Sequence, residues 1–128
     1  MPLAAHDLMP MFTVTSILDG APFAFERVWQ LKNLLLVSIP SSDPAARLYS
    51  ERLHDRVADL HSLDTALVVT ADIVPGIPSP GVVIADRWGE IYHVEGADHA
   101  SDLPTADDLI EWVRFVRLQC PECQGEAR

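Results

Sequence analysis

The stretch Leu34-Leu35-Leu36-Val37-Ser38-Ile39-Pro40-Ser41-Ser42-Asp43-Pro44-Ala45 decides the fold. Leu34 to Ile39 is a nearly continuous apolar run bounded by Asn33 and Pro40, the pattern of a central strand covered on both faces. Asp43 is a good N-cap, and Pro44 suits the first position of a helix. From Ala45, the residues Tyr49, Leu53, Val57 and Leu60 recur at helical spacing and predict one apolar stripe. Arg47, Glu51, Arg52, Asp55, Arg56 and Asp59 occupy the other faces. The helix should end between Leu60 and Ser62. Ala66-Leu67-Val68-Val69-Thr70 then reads as a second buried strand. Strand, helix, strand of this length is a right-handed βαβ unit with parallel strands.

Upstream, residues 1–11 read as an irregular lead-in. Phe12 to Thr15 has strand composition, Asp19-Gly20 is a turn signal, and Pro22 to Phe25 forms the return strand of a hairpin. Glu26 to Leu31 is a short helical turn with Trp29 expected to pack inward. Downstream, the proline-rich segment Pro75-Gly76-Ile77-Pro78-Ser79-Pro80 leads into a strand from Gly81 to Ala85. Asp86-Arg87-Trp88-Gly89 is a turn, and Glu90 to Val94 the strand that returns from it. After an acidic loop, a last helix starts at Thr105 with Asp108 placed to complete its cap. Leu109, Ile110, Trp112, Val113, Val116 and Leu118 give this helix its stripe, Phe115 broadens it, and Pro121 stops it.

This order resembles the thioredoxin fold with the N-terminal hairpin of the peroxiredoxins, in the alkyl hydroperoxide reductase/thiol-specific antioxidant branch. Two stretches carry the resemblance beyond element order: Pro80-Gly81-Val82-Val83-Ile84-Ala85-Asp86-Arg87-Trp88-Gly89-Glu90-Ile91, and the hairpin from Phe12 to Phe25. It covers roughly residues 10–118 by element length. The implied fold is α/β: a central mixed β-sheet flanked by helices, preceded by a β-hairpin. The resemblance also implies a cis peptide bond at Ser79–Pro80, beside the active-site loop. It implies redox chemistry with protein thiols as partners.

The departure lies in that loop. The resemblance places a reactive cysteine just after the first central strand, where a helix N-terminus stabilises a thiolate. Here the aligned residues are Ser42-Asp43-Pro44-Ala45, as if both thiols of a Cys-x-Pro-Cys loop were replaced. A serine hydroxyl does not cycle through sulfenic acid or disulfide. Conventional peroxidase activity is therefore not expected. Ser42, Asp43 and Pro80 remain as a degenerate active-site cleft that could bind a small molecule or peptide, and Asp43 reads first as a helix cap.

The two cysteines, Cys120 and Cys123, lie instead in a C-terminal Cys-Pro-Glu-Cys. Three readings stay open. They are a redox pair doing thiol–disulfide chemistry, with Cys120 as nucleophile and Cys123 resolving. They are half a zinc site, completed by a second copy of the chain in a homodimer or by a histidine. Or they are two free thiols. The helix C-terminus before them and Glu122 between them disfavour thiolates. The chain thus divides into a domain over residues 1–118 and a tail over 119–128. The reading is of a redox-associated protein; the alternative is a non-catalytic binding or dimerisation module whose cysteines hold zinc.

The bulk numbers set the outer limits. A length of 128 residues with 48% apolar content makes one domain with a sizeable core. A net charge of −10, with Lys32 the only lysine, opposes nucleic acid and anionic membranes as partners. The longest wholly apolar run, Leu34 to Val37, falls far short of the roughly 20 residues a membrane span needs. The N-terminus has no signal core, and the expected compartment is the cytoplasm. His54 and His61 read as surface histidines. His93, Asp98, His99 and Asp102 are a weak metal-ligand grouping. Trp29, Trp88 and Trp112 read as core or turn-packing residues. No Ser-His-Asp set, phosphate loop or carboxylate pair stands out.

Overall fold

The computed structural model describes residues 2–119. Cys120 and Cys123 lie outside the described residues. Four strands form the central sheet: β3 (Asn33–Ser38), β4 (Thr65–Thr70), β5 (Gly81–Ala85) and β6 (Ile91–Gly96), in the order β4-β3-β5-β6. β3 and β4 are parallel, while β3–β5 and β5–β6 are antiparallel. The hairpin is a separate two-stranded sheet of β1 (Thr13–Thr15) and β2 (Pro22–Ala24). Gly20 takes φ +73° in its turn, and Asp19 Oδ1 accepts from the Ala21 N–H at 3.0 Å. A bridge between Ser16 and Thr70 attaches the hairpin to the sheet.

Every residue of β3 is buried, as its apolar run requires. Its alternate side chains enter two cores. Leu35, Val37 and Ile39 face α1 (Ala46–His54), α2 (Val57–Ser62) and α3 (Ala106–Leu118). Leu34 and Leu36 face a second core built without an α-helix: Met9, Val14, Val74, Ile77 and Phe25, the last from a short 3-10 turn.

Four details differ from expectation. The first long helix is two, separated at Asp55–Arg56, although its apolar stripe runs on through Leu53 and Leu60. The lead-in is irregular but not loose. Its backbone bonds to the β5–β6 turn (Met9 N–H to Gly89 O, 2.7 Å; His6 N–H to Ile91 O, 2.6 Å) draw Met9 into the core. Trp29 does not pack inward. It is 38% exposed, and its indole N–H donates to the Trp88 carbonyl at 3.3 Å on the surface of that turn. Leu118 is 79% exposed, because it lies on the side of α3 opposite the buried Val116.

Candidate functional site

The sheet has two poles. At one, β3 and β4 end and β5 begins. Ser38 lies opposite both Thr70 and Gly81, and Gly81 lies opposite Gly96. The turn after β3, the proline-rich segment before β5 and the acidic loop after β6 leave or enter here. The Ser79–Pro80 peptide is cis and Pro80 is buried, with its carbonyl accepting from the Ala97 N–H at 3.1 Å. Pro78 folds back over the Gly81–Gly96 pair so closely that neither glycine has room for a side chain. A Cβ on Gly81 would stand 2.2 Å from the Pro78 carbonyl oxygen, and one on Gly96 would stand 2.7 Å from the Pro78 ring.

A network of small polar groups backs this loop. Ser38 Oγ, fully buried, donates to the Asp72 carbonyl at 2.9 Å and shares a 3.1 Å hydrogen bond with Ser79 Oγ. The Asp72 carboxylate accepts from the Thr15 N–H of the hairpin at 2.8 Å. Sequence reasoning missed this network. Its only trace was Ser38, the one polar residue between Leu34 and Ile39.

Ser42 is exposed in the turn that follows β3. Among the described residues no group hydrogen-bonds to its hydroxyl, so nothing activates it as a nucleophile. Asp43 is tied down on both oxygens: Oδ1 accepts from the Ala45 N–H and Oδ2 from the Ala100 N–H, each at 2.8 Å. The expected N-cap is not realised: α1 begins at Ala46 with Ala45 as its N-cap and no side-chain cap, and the Asp43–Ala45 bond closes a local turn before the helix. The second bond links the loop to the approach of α3. The Ala100 N–H first, then that of Ala45, with His99 adding attraction, hold this carboxyl below the ordinary 3.8. A neighbouring groove of about 660 Å³, lined by Ser41, Asp43, Arg47, Ser50 and His54, opens beside this turn without reaching Ser42 or Pro80.

α3 starts at this pole, with Thr105 Oγ1 accepting from the Asp108 N–H at 3.2 Å as its cap, and runs to the other. Near its end Arg117 meets Asp64, whose carbonyl accepts from the N–H of Asn33, the first residue of β3. Gln119, the last described residue, therefore stands at the pole opposite Ser42 and Pro80. The length of β3 alone separates the poles by about 17 Å. The structure brings Ser42, Asp43 and Pro80 to one end of the sheet and carries the chain toward Cys120 and Cys123 from the other.

The remaining candidates fall apart as a site. His54 and His61 are exposed. His93 stacks on Trp112 with ring centroids 4.3 Å apart and pairs with Glu95 at 2.9 Å. Among the described residues, no three His, Cys, Asp or Glu side chains converge to hold a metal. No helix among the described residues is long and apolar enough to cross a membrane.

No protein-family model matches the chain, and no curated protein matches its sequence. Solved structures do. Enterococcus faecalis AhpC superimposes with a TM-score of 0.71 at 13% identity, over 92% of this chain and 94% of its own. A yeast mitochondrial 1-Cys peroxiredoxin gives 0.70 at 9% identity, over 91% of this chain and 77% of its own. A thioredoxin-family thiol:disulfide interchange protein from Chlorobium tepidum gives 0.63 at 13%, over 91% and 99%. The fold is thioredoxin-like. Within that class it has the mixed four-stranded sheet, the cis-proline loop and the N-terminal hairpin that the sequence suggested by resemblance to the peroxiredoxins.

Proposed function

We propose that this chain is a redox-associated thioredoxin-fold protein that does no chemistry at its Ser42–Pro80 loop and exchanges disulfides through Cys120 and Cys123. The observation that carries this reading is the separation of the poles. The loop beside the cis-proline ends in an unactivated hydroxyl and an aspartate already bonded on both oxygens. The chain's two thiols follow Gln119, at the opposite end. Cys120 follows Gln119 directly in the sequence. It serves a partner protein's disulfide rather than this chain's own loop.

The step balances as exchange. The Cys120 thiolate attacks one sulfur of a partner disulfide and releases the other as a thiolate. Cys123 then attacks the mixed disulfide, leaving an intramolecular disulfide here and a dithiol on the partner. Conventional peroxidase turnover is not part of this reading. Reduced protein treated with a peptide disulfide is expected to lose the mass of two hydrogens and regain it with dithiothreitol. An unchanged mass contradicts the proposal.

A second reading, a homodimeric binding module with a four-thiolate zinc site, draws on the same polar separation. Leu118, two residues before the first cysteine, is exposed. Metal analysis separates the two. Zinc near about half an equivalent per chain supports the module, and metal-free protein that still exchanges disulfides supports the first reading.

A further inference from the structure

A groove of about 950 Å³ runs along the outer side of α3, and the redox reading makes no use of it. One wall is a single face of α3, carrying Asp108, Trp112 and Phe115 at helical spacing. The other includes Tyr92 of β6, and Asp102 stands at one end. The rings form a linked set: Phe115 meets Tyr92 edge-on at 6.3 Å and Trp112 edge-on at 5.8 Å. Phe115 remains 46% exposed. Four carboxylates line the groove. Glu95 is engaged by His93 and Glu111 by Arg114. Among the described residues, the carboxylates of Asp102 and Asp108 accept no hydrogen bond and make no ion pair. Among the described lining residues, the one cationic candidate, His6, is held by Glu90 at 2.9 Å.

We propose that this groove seats an arginine-bearing segment of a partner protein. Aromatic faces attract a cation, and a guanidinium both stacks on rings and pairs with carboxylates through its planar donors. Charge complementarity selects this occupant: the unmatched groups are negative, and the chain's net charge of −10 draws cations toward it. Extent favours a segment over a free cation. From Thr105 to Gln119 the helix wall is about 21 Å long, and the volume sits near the top of the about 300–1,000 Å³ range of ligand sites.

The test is a fluorescence-anisotropy titration of the full chain with a labelled short peptide of alternating arginine and leucine. Its glutamate–leucine counterpart and methylguanidinium serve as comparison ligands. The arginine peptide is expected to bind and the glutamate peptide not. Asp102→Asn with Asp108→Asn, and separately Phe115→Ala, each weaken binding about tenfold. Glu26→Gln with Asp55→Asn removes the same charge elsewhere and changes it by less than about twofold. Circular dichroism checks the fold of each variant, and amide chemical-shift mapping on the unsubstituted chain locates the peptide independently of any variant. Shifts centred on Tyr92 and residues 105–119 support the proposal. It is overturned by absence of binding, equal loss in the control pair, shifts centred elsewhere or methylguanidinium binding as tightly as the peptide. It is equally overturned by a peptide-free dimer that Phe115→Ala dissociates, which would make a second copy the occupant.

Discussion

Asp43 is a structural clasp in the turn between β3 and α1. Its carboxylate joins the loop after β3 to the approach of α3 through the Ala45 and Ala100 N–H groups. Replacing it with Asn leaves one of those donors unmatched, and the melting temperature at pH 7 is expected to fall. Because the native carboxyl is held below 3.8, its stabilising contribution is present above that pH and is lost as pH falls through the native value. Melting curves of the two proteins should therefore converge in strong acid, and a constant gap at every pH would contradict the clasp. Ser42 and Ser38 make a second pair of residue-scale predictions. In a chain with both tail cysteines changed to serine, Ser42→Cys should react promptly with a thiol reagent. Ser38→Cys should not react until the protein unfolds, since Ser42 is exposed and Ser38 fully buried. Much at this scale was legible beforehand: the Asp19-Gly20 turn and the Thr105 cap each rest on a local rule that a few neighbouring residues satisfy. The Ala100 bond to Asp43 was not legible, because it joins residues 57 apart in the chain.

At the scale of elements, the meeting of Pro78 with the Gly81–Gly96 pair fixes the entry of β5. Gly81→Ala puts a methyl group into the Pro78 carbonyl and is expected to cost about 1–3 kcal/mol, read by urea denaturation. Thr105→Ala removes the cap of α3 and should cost about 1 kcal/mol by the same measurement. The strands were readable because β3, β4 and β5 carry short apolar runs, β3 bounded by Asn33 and Pro40 and the other two rich in β-branched residues. The break between α1 and α2 was not readable. No proline or glycine marks Asp55–Arg56, and the Arg56 guanidinium at the break is spoken for by Asp59 and by Asp107 of α3. The covering of the second face was hidden for a related reason. Met9 is brought in by backbone bonds to Gly89, and backbone bonding leaves no periodic signature in side chains. Trp29 was misjudged because composition records its apolar surface but not the carbonyl of Trp88 that receives its N–H.

For the whole molecule, architecture and chemistry separate. The fold superimposes on proteins at 9–15% identity, so the same chain path is reached with almost wholly different sequences. Among the described residues, nothing at the cis-proline pole offers a nucleophile in an activating environment. The aromatic and acidic groove beside α3 and the cysteines that follow Gln119 are features the fold does not require. The sequence shows that no cysteine lies in the loop after β3. It did not show that the loop and the start of the tail lie at opposite poles, since that follows only once α3 is laid antiparallel to the path of β6. The most direct measurement is the rate at which the fully reduced chain reduces a fluorogenic disulfide peptide, compared with the Cys120→Ser/Cys123→Ser chain. The account predicts exchange by the first and none by the second, with identical circular dichroism. Equal rates from both chains, or no exchange by either, would contradict it.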